Sequence, residues 1–134
     1  MIRTIAKEKK LPTLIREADE LFSELIRRQR AVNGYVTCIT CPKVLPFRQA
    51  QLCHTFHRDN MATRYDELNV WPGCAECNCF DPDHDTKIKS VVRRLIGDAE
   101  FYDLSQRAQS MVKFTRPEML EMIEGFKEKL KKLK

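Results

Sequence analysis

The chain has 134 residues, 43% of them hydrophobic and 32% charged, with a net charge of +5. That length supports a modest core in one domain. No apolar run approaches the roughly 20 residues of a bilayer-spanning helix, so no membrane segment is expected. The charged start, MIRTIAKEKK, has no apolar block behind it; a secretory leader is not expected, and the reading is a cytoplasmic protein. In a reducing compartment the six cysteines point to metal ligation more than to disulfides. Charge is uneven along the chain. Residues 1–34 carry 8 basic and 5 acidic side chains, residues 35–85 carry 4 and 7, and residues 86–134 carry 12 and 7. An acidic centre that holds every cysteine and histidine is thus flanked by basic arms, a pattern suited to a carboxylate-bearing site gripped onto a polyanion. Solvated helical faces would produce the same charge pattern.

Residues 13–32 are predicted as the first helix, because Leu14, Ile15, Ala18, Leu21, Phe22, Leu25 and Ile26 form one apolar stripe. Pro12 and Thr13 suit its start and Asn33-Gly34 its end. Arg27, Arg28 and Arg30 favour the negative end of the helix dipole and are candidate phosphate contacts. From Tyr35 to Asp85 the helical period is lost. YVTCIT and RQAQLCHTF read as strands, CPKVLP as a turn, and prolines break the segment into pieces too short to fold unaided. Helical patterns return with DTKIKSVVRRLIG, starting at Asp85 or Thr86 and stopping at Gly97. DAEFYDLSQRAQSMVK follows, with Asp98 as its expected cap. TRPEMLEMIEGFKEKLKKLK closes the chain, with Thr115 and Glu118 in capping-box spacing. The apolar stripe of that last helix reads as core or as a dimer seam. The expected organisation is a helix over 1–34, a metal-stapled core over 35–85 and helices over 86–134.

Cys38-x-x-Cys41 and Cys74-x-x-Cys77, with 32 residues between, have the spacing of two knuckles around a tetrahedral zinc. Four thiolates close the coordination sphere, so this zinc would be structural, and it would supply on the order of 10 kcal/mol to a segment poor in core residues. Disulfides are the competing reading. Cys53 and Cys79 remain as free thiols, with Cys79 near enough to compete as a ligand.

Between the pairs lies CHTFHRDNMATRYDELNV. Phosphodiester hydrolysis needs a base for water, a cation for the leaving oxygen and a group that orients the base. His54, at the end of a strand, suits the base; Asn78, directly after a knuckle cysteine, offers oxygen to a divalent cation; Asn69 suits an orienting loop residue. Arg58 and Arg64 are candidate phosphate contacts, although Arg64 would equally pair with Asp66 or Glu67. Asn69, Asn78 and Asp81 also suit plain turn or loop positions, and Trp71 reads as core.

This order of histidine and two asparagines woven through two cysteine pairs resembles the HNH, or ββα-metal, nuclease fold, with asparagine in place of the last histidine. More closely, NGYVTCITC at 33–41, His54, ATRYDELNV at 62–70, CAECN at 74–78 and VKFTRPEMLEMIEGFKEKL at 112–130 resemble the phage NinG (Rap) recombination proteins. The cysteine, histidine and asparagine arrangement is also similar to a T-even phage endonuclease that resolves four-way junctions as a homodimer. The resemblance implies an α+β fold with a zinc-stapled ββα-metal core and flanking helices. It implies a DNA endonuclease acting on branched recombination intermediates, Holliday junctions and D-loops, in a phage-infected or prophage-carrying bacterium. Cys38, Cys41, Cys74 and Cys77 match the zinc ligands, His54 the general base, Asn69 the orienting asparagine and Asn78 a ligand of catalytic Mg²⁺ or Mn²⁺. The chain departs from the pattern at Cys53, where HNH enzymes often carry a metal-binding aspartate, and at His57, where the NinG-like pattern has proline. Asp81, three residues after Asn78, matches a carboxylate of the junction-resolving enzyme and is the expected second ligand, ahead of Asp59 and Asp83.

The expectation is therefore a Zn²⁺-stapled, Mg²⁺- or Mn²⁺-dependent DNA endonuclease, dimeric, with phosphate grip from Arg27, Arg28, Arg30, Arg58, Arg64, Arg93, Arg94 and the lysine-rich tail. A zinc-containing DNA-binding protein without catalysis is the alternative, supported by Cys53. An HNH enzyme cutting ordinary duplex is the third reading.

Overall fold

The computed structural model describes residues 9–133. Residues 1–8 of the charged start, and Lys134 of the lysine-rich tail, lie outside the described residues. The fold is mixed α+β. Helix α1 runs Leu11–Arg30, and its stripe buries Leu14, Ala18, Phe22, Leu25 and Ile26. It ends two residues earlier than the period predicts. Asn33 and Gly34 instead take positive φ (53° and 84°) and make the tight turn that bridges Val32 to Tyr35. Strands β1 (Tyr35–Thr37) and β2 (Val44–Pro46) form an antiparallel hairpin carrying the first cysteine pair in its loop. The CPKVLP segment, expected as a turn, thus contributes a strand, with Leu45 turned inward opposite Val36.

A 3-10 turn over Phe47–Gln49 leads into β3 (Gln51–His54), which pairs antiparallel with β4 (Val70–Gly73). The long connection between them contains the short helix α2 (Met61–Arg64). After β4 come Cys74 and a π-helical turn over Glu76–Phe80, then α3 (His84–Ile96), α4 (Asp98–Ala108) and α5 (Arg116–Lys132). Gly97, with φ 91°, ends α3 and itself caps α4, so Asp98 is the first residue of α4 rather than its cap. The reciprocal capping box between Thr115 and Glu118 is formed at the start of α5.

Three apolar clusters hold these elements. The largest joins α1 to α5, with Phe22, Leu25, Ile26, Met119, Ile123 and Phe126 meeting Val70 of β4. A second packs Val36, Leu45 and Ala50 around Cys38 and Cys74. The third places Cys53 and Trp71 against Ile88 and Val92 of α3. Trp71 is core, as expected, with its indole N–H donating to the Leu68 carbonyl. No helix among the described residues is long and apolar enough to cross a membrane.

Candidate functional site

The two hairpins bring the cysteine pairs together. The Sγ atoms of Cys38, Cys41, Cys74 and Cys77 all lie within 4.8 Å of one another. A tetrahedral zinc with Zn–S bonds of about 2.3 Å has sulfur–sulfur edges of roughly 3.8 Å, and Cys41 Sγ stands 3.8 Å from Cys74 Sγ. All four are free thiols, and the backbone N–H of Cys74 donates to Cys38 Sγ (3.3 Å), a contact that favours a thiolate. The donor set and its spacing fit zinc. Cys79 is exposed and its thiol donates to Gln51 Oε1 instead of joining the quartet.

Strand alternation decides where Cys53 and His54 point. Cys53 is fully buried beneath Gly73, where a Cβ would meet its Sγ at 2.4 Å; glycine at 73 is the room that the thiol needs. Burial pushes the Cys53 thiol up to about 12, so it is a neutral apolar filler. His54 faces the opposite way, into a cavity of about 280 Å³ that Asp19, Gln51, Arg58, Arg64 and Asn78 also line. Its Nε2 lies 3.2 Å from the carbonyl of Arg64. Donation there leaves the lone pair of the neutral ring on Nδ1. Burial, with the charges of Arg64 and Arg58, lowers the imidazole pKa to about 4, so the ring is neutral at physiological pH.

Arg64 is itself fixed. Its guanidinium donates to both oxygens of Asp19 (2.9 and 2.5 Å) and to the Arg58 carbonyl (2.9 Å), and Tyr65 adds a hydroxyl to the same carboxylate (2.9 Å). The partner of Arg64 is therefore Asp19 on α1; Asp66 pairs with Arg107. Asn69 is fully buried, accepting from the backbone N–H of Phe56 and donating to the carbonyls of Phe56 and Thr63. It clamps the connection just after His54 to the residue just before Arg64.

Neither the family models nor the curated proteins nor the solved structures gave a match to this chain. The chemistry of the site rests on its own residues.

The other sequence candidates sit as follows. Asn78 enters the cavity from the π-turn, its Nδ2 donating to Gln51 Oε1 (2.9 Å). Asp81 is not among the residues lining the cavity; its carboxylate accepts from Lys87 Nζ (2.7 Å) and from the Asp83 backbone N–H, and the Lys87 bond lowers its pKa. His57 pairs with Asp59 at the surface. Arg27 donates to the carbonyls of Phe47 and Arg48, Arg28 to that of Leu133, and Arg30 to that of Glu67 while stacking 3.9 Å over Trp71. Arg27 and Arg30 tether the cysteine-bearing half to α1, and Arg28 ties α1 to the end of α5. Arg93 pairs with Asp98, and Arg94 is exposed. Asp19 and Gln51 went unnoticed in the sequence. The available signal for Asp19 was an acid four residues after Ile15 and three before Phe22, at the edge of the apolar stripe beside Ile26.

Proposed function

We propose that the chain is a zinc-stapled, metal-dependent DNA endonuclease of HNH type whose ββα-metal unit is β3, β4 and the segment that leads through Asn78 into α3. One observation carries the reading: a neutral His54, anchored through Nε2 on a backbone carbonyl, shares a cavity with Asn78, which follows directly from a candidate zinc knuckle. His54 Nδ1 would take the proton of the attacking water; the water oxygen bonds to phosphorus, and the bond to the leaving ester oxygen breaks. Asn69 would keep the base in register by fixing the backbone just after His54 and just before its Arg64 anchor. A bound Mg²⁺ or Mn²⁺ would offset negative charge on the phosphate and leaving oxygen. Oxygen donors suit such a cation, and Asn78 is the one that would reach it from the cavity wall, with the Asp19 carboxylate beside it already held by Arg64 and Tyr65 and with Asp81 outside. Arg58 beside the base, with Arg94 and the lysines of α5, would grip phosphate, so affinity should fall steeply with salt. Branched recombination intermediates, with a homodimer to embrace them, are the proposed substrate, on the likeness to the NinG proteins.

The test incubates the protein, with Mg²⁺ or Mn²⁺, with a labelled four-way junction and with a linear duplex of the same sequence, His54→Ala alongside. Junction cleavage that the variant lacks is the expected result. Equal cutting of both DNAs would remove the recombination role. Binding without cutting would favour the second reading, a zinc-containing DNA-binding protein. Its specific support is that Asp19 and Asp81 are both already neutralised, by Arg64 and Lys87.

A further inference from the structure

We infer that Gln51 is a positioning residue that sets the amide of Asn78 so that its oxygen, not its nitrogen, is offered to a divalent cation. The inference rests on the reading of the His54 cavity as a cation site. Gln51 opens β3, opposite Gly73 in the strand that leads into Cys74. Its Oε1 accepts from two donors at once, Asn78 Nδ2 at 2.9 Å and Cys79 Sγ at 3.1 Å. A carbonyl oxygen has two lone pairs, so this acceptor is fully used. The Asn78 amide has its nitrogen and oxygen on opposite sides. With Nδ2 committed to Gln51, Oδ1 is turned to the other side. Rotating the Asn78 amide alone by half a turn would place Oδ1 against Oε1, two acceptors with no proton between them, and leave an –NH₂ facing any cation; rotating Gln51 with it would take Oε1 away from the Cys79 thiol that donates to it. The backbone cannot relieve the conflict, because the Asn78 N–H is held by the Cys74 carbonyl (3.0 Å) in the closing turn of the knuckle. Knuckle and strand thus fix one residue jointly, the knuckle its backbone and Gln51 its amide. Groups that orient a metal ligand typically account for 10- to 100-fold in metal affinity.

The experiment titrates Mn²⁺ into the zinc-loaded full chain and follows binding by electron paramagnetic resonance, with no DNA present. Zinc content and melting temperature are checked for each variant. Gln51→Met, which keeps length and loses the acceptor, should weaken Mn²⁺ about tenfold. Gln51→Glu, which keeps an acceptor oxygen, should bind at least as tightly as the wild type. In an Asn78→Ala background, Gln51→Met should cost nothing further, since the effect runs through the amide that is gone. Unchanged affinity in Gln51→Met, or a loss that simply adds to that of Asn78→Ala, overturns the inference and leaves the cation site standing. A wild type that binds no Mn²⁺, or binds it equally after Asn78→Ala, overturns the cation site and the inference together.

Discussion

Around α1 and α5, large side chains such as Phe22, Leu25, Ile26, Met119 and Phe126 close on one another with almost no exposure; around the cysteines, Val36, Leu45 and Ala50 are the apolar material at hand. The first region contains long periodic helices, the second two three-residue strands and a turn. A Leu or Phe buried from water stabilises by about 1.5–3 kcal/mol, so the helical region accumulates its stability from many side chains. The cysteine region would concentrate it in one bound ion, for which the four thiols are the candidate ligands. That difference places the candidate site at a join. His54 and Leu52 face the helical side, while Asn78 hangs from the knuckle.

The largest effect expected is from removing zinc. Chelation, or Cys74→Ala, should abolish hydrogen-exchange protection across residues 35–80, a loss on the order of 10 kcal/mol, while α1 and α5 keep most of theirs. Parallel loss in both regions would show that they fold as one unit and end the contrast. Next comes Phe22→Ala. Phe22 packs edge-on to Tyr65 and tilted against Phe126, and it also lines the His54 cavity. Urea unfolding of the zinc-loaded protein should show a loss of about 3–5 kcal/mol, with zinc affinity unchanged. A change in zinc affinity would mean that the helical region supports the knuckle directly.

Smaller again is the effect of pH on His54. Its folded pKa of about 4 lies below the unfolded 6.5, so between those values the unfolded chain binds the extra proton. Stability from this group is complete above pH 6.5 and falls as pH drops towards 4, by at most about 3 kcal/mol. Stability measured from pH 7 to 4 should therefore decline less in His54→Gln than in the wild type, and the difference cancels acid effects on zinc common to both. An imidazole that titrates near 6.5 by NMR would put the ring in water and remove the enclosed site.

The long helices were legible because their signals are local. The stripe of α1, the Gly97 stop and the capping box of α5 all depend on residues within a few positions of one another. The cysteine quartet was legible for a similar reason, since each pair is a local motif. Strand β2 was obscured because Pro42 precedes it and Pro46 ends it, and one inward residue, Leu45, is too few for a period. Helix α2 is one turn long. At the site, the sequence named His54, Asn69 and Asn78 but not Asp19 or Gln51, because their places are set by contacts across 45 and 27 residues. The arginines of α1 carried an ambiguous signal. Charge at the end of a helix suits phosphate and backbone carbonyls equally, and here carbonyls accept all three.

The hydrogen bond from His54 to the Arg64 carbonyl makes a peptide oxygen the anchor of the imidazole. A peptide oxygen survives every substitution, so sequence drift at position 64 can discard the guanidinium without deleting the anchor. Vulnerability passes to whatever fixes the path of the main chain, and that is Asn69, buried 13 residues from one of its partners and 6 from another. Isosteric Asn69→Asp would exchange the amide donor for a lone pair facing two carbonyls. Loss of the guanidinium at 64 would strand Asp19 yet leave the imidazole's anchor in place, whereas change at 69 would move the anchor itself; that separation is the mutational signature this arrangement should leave.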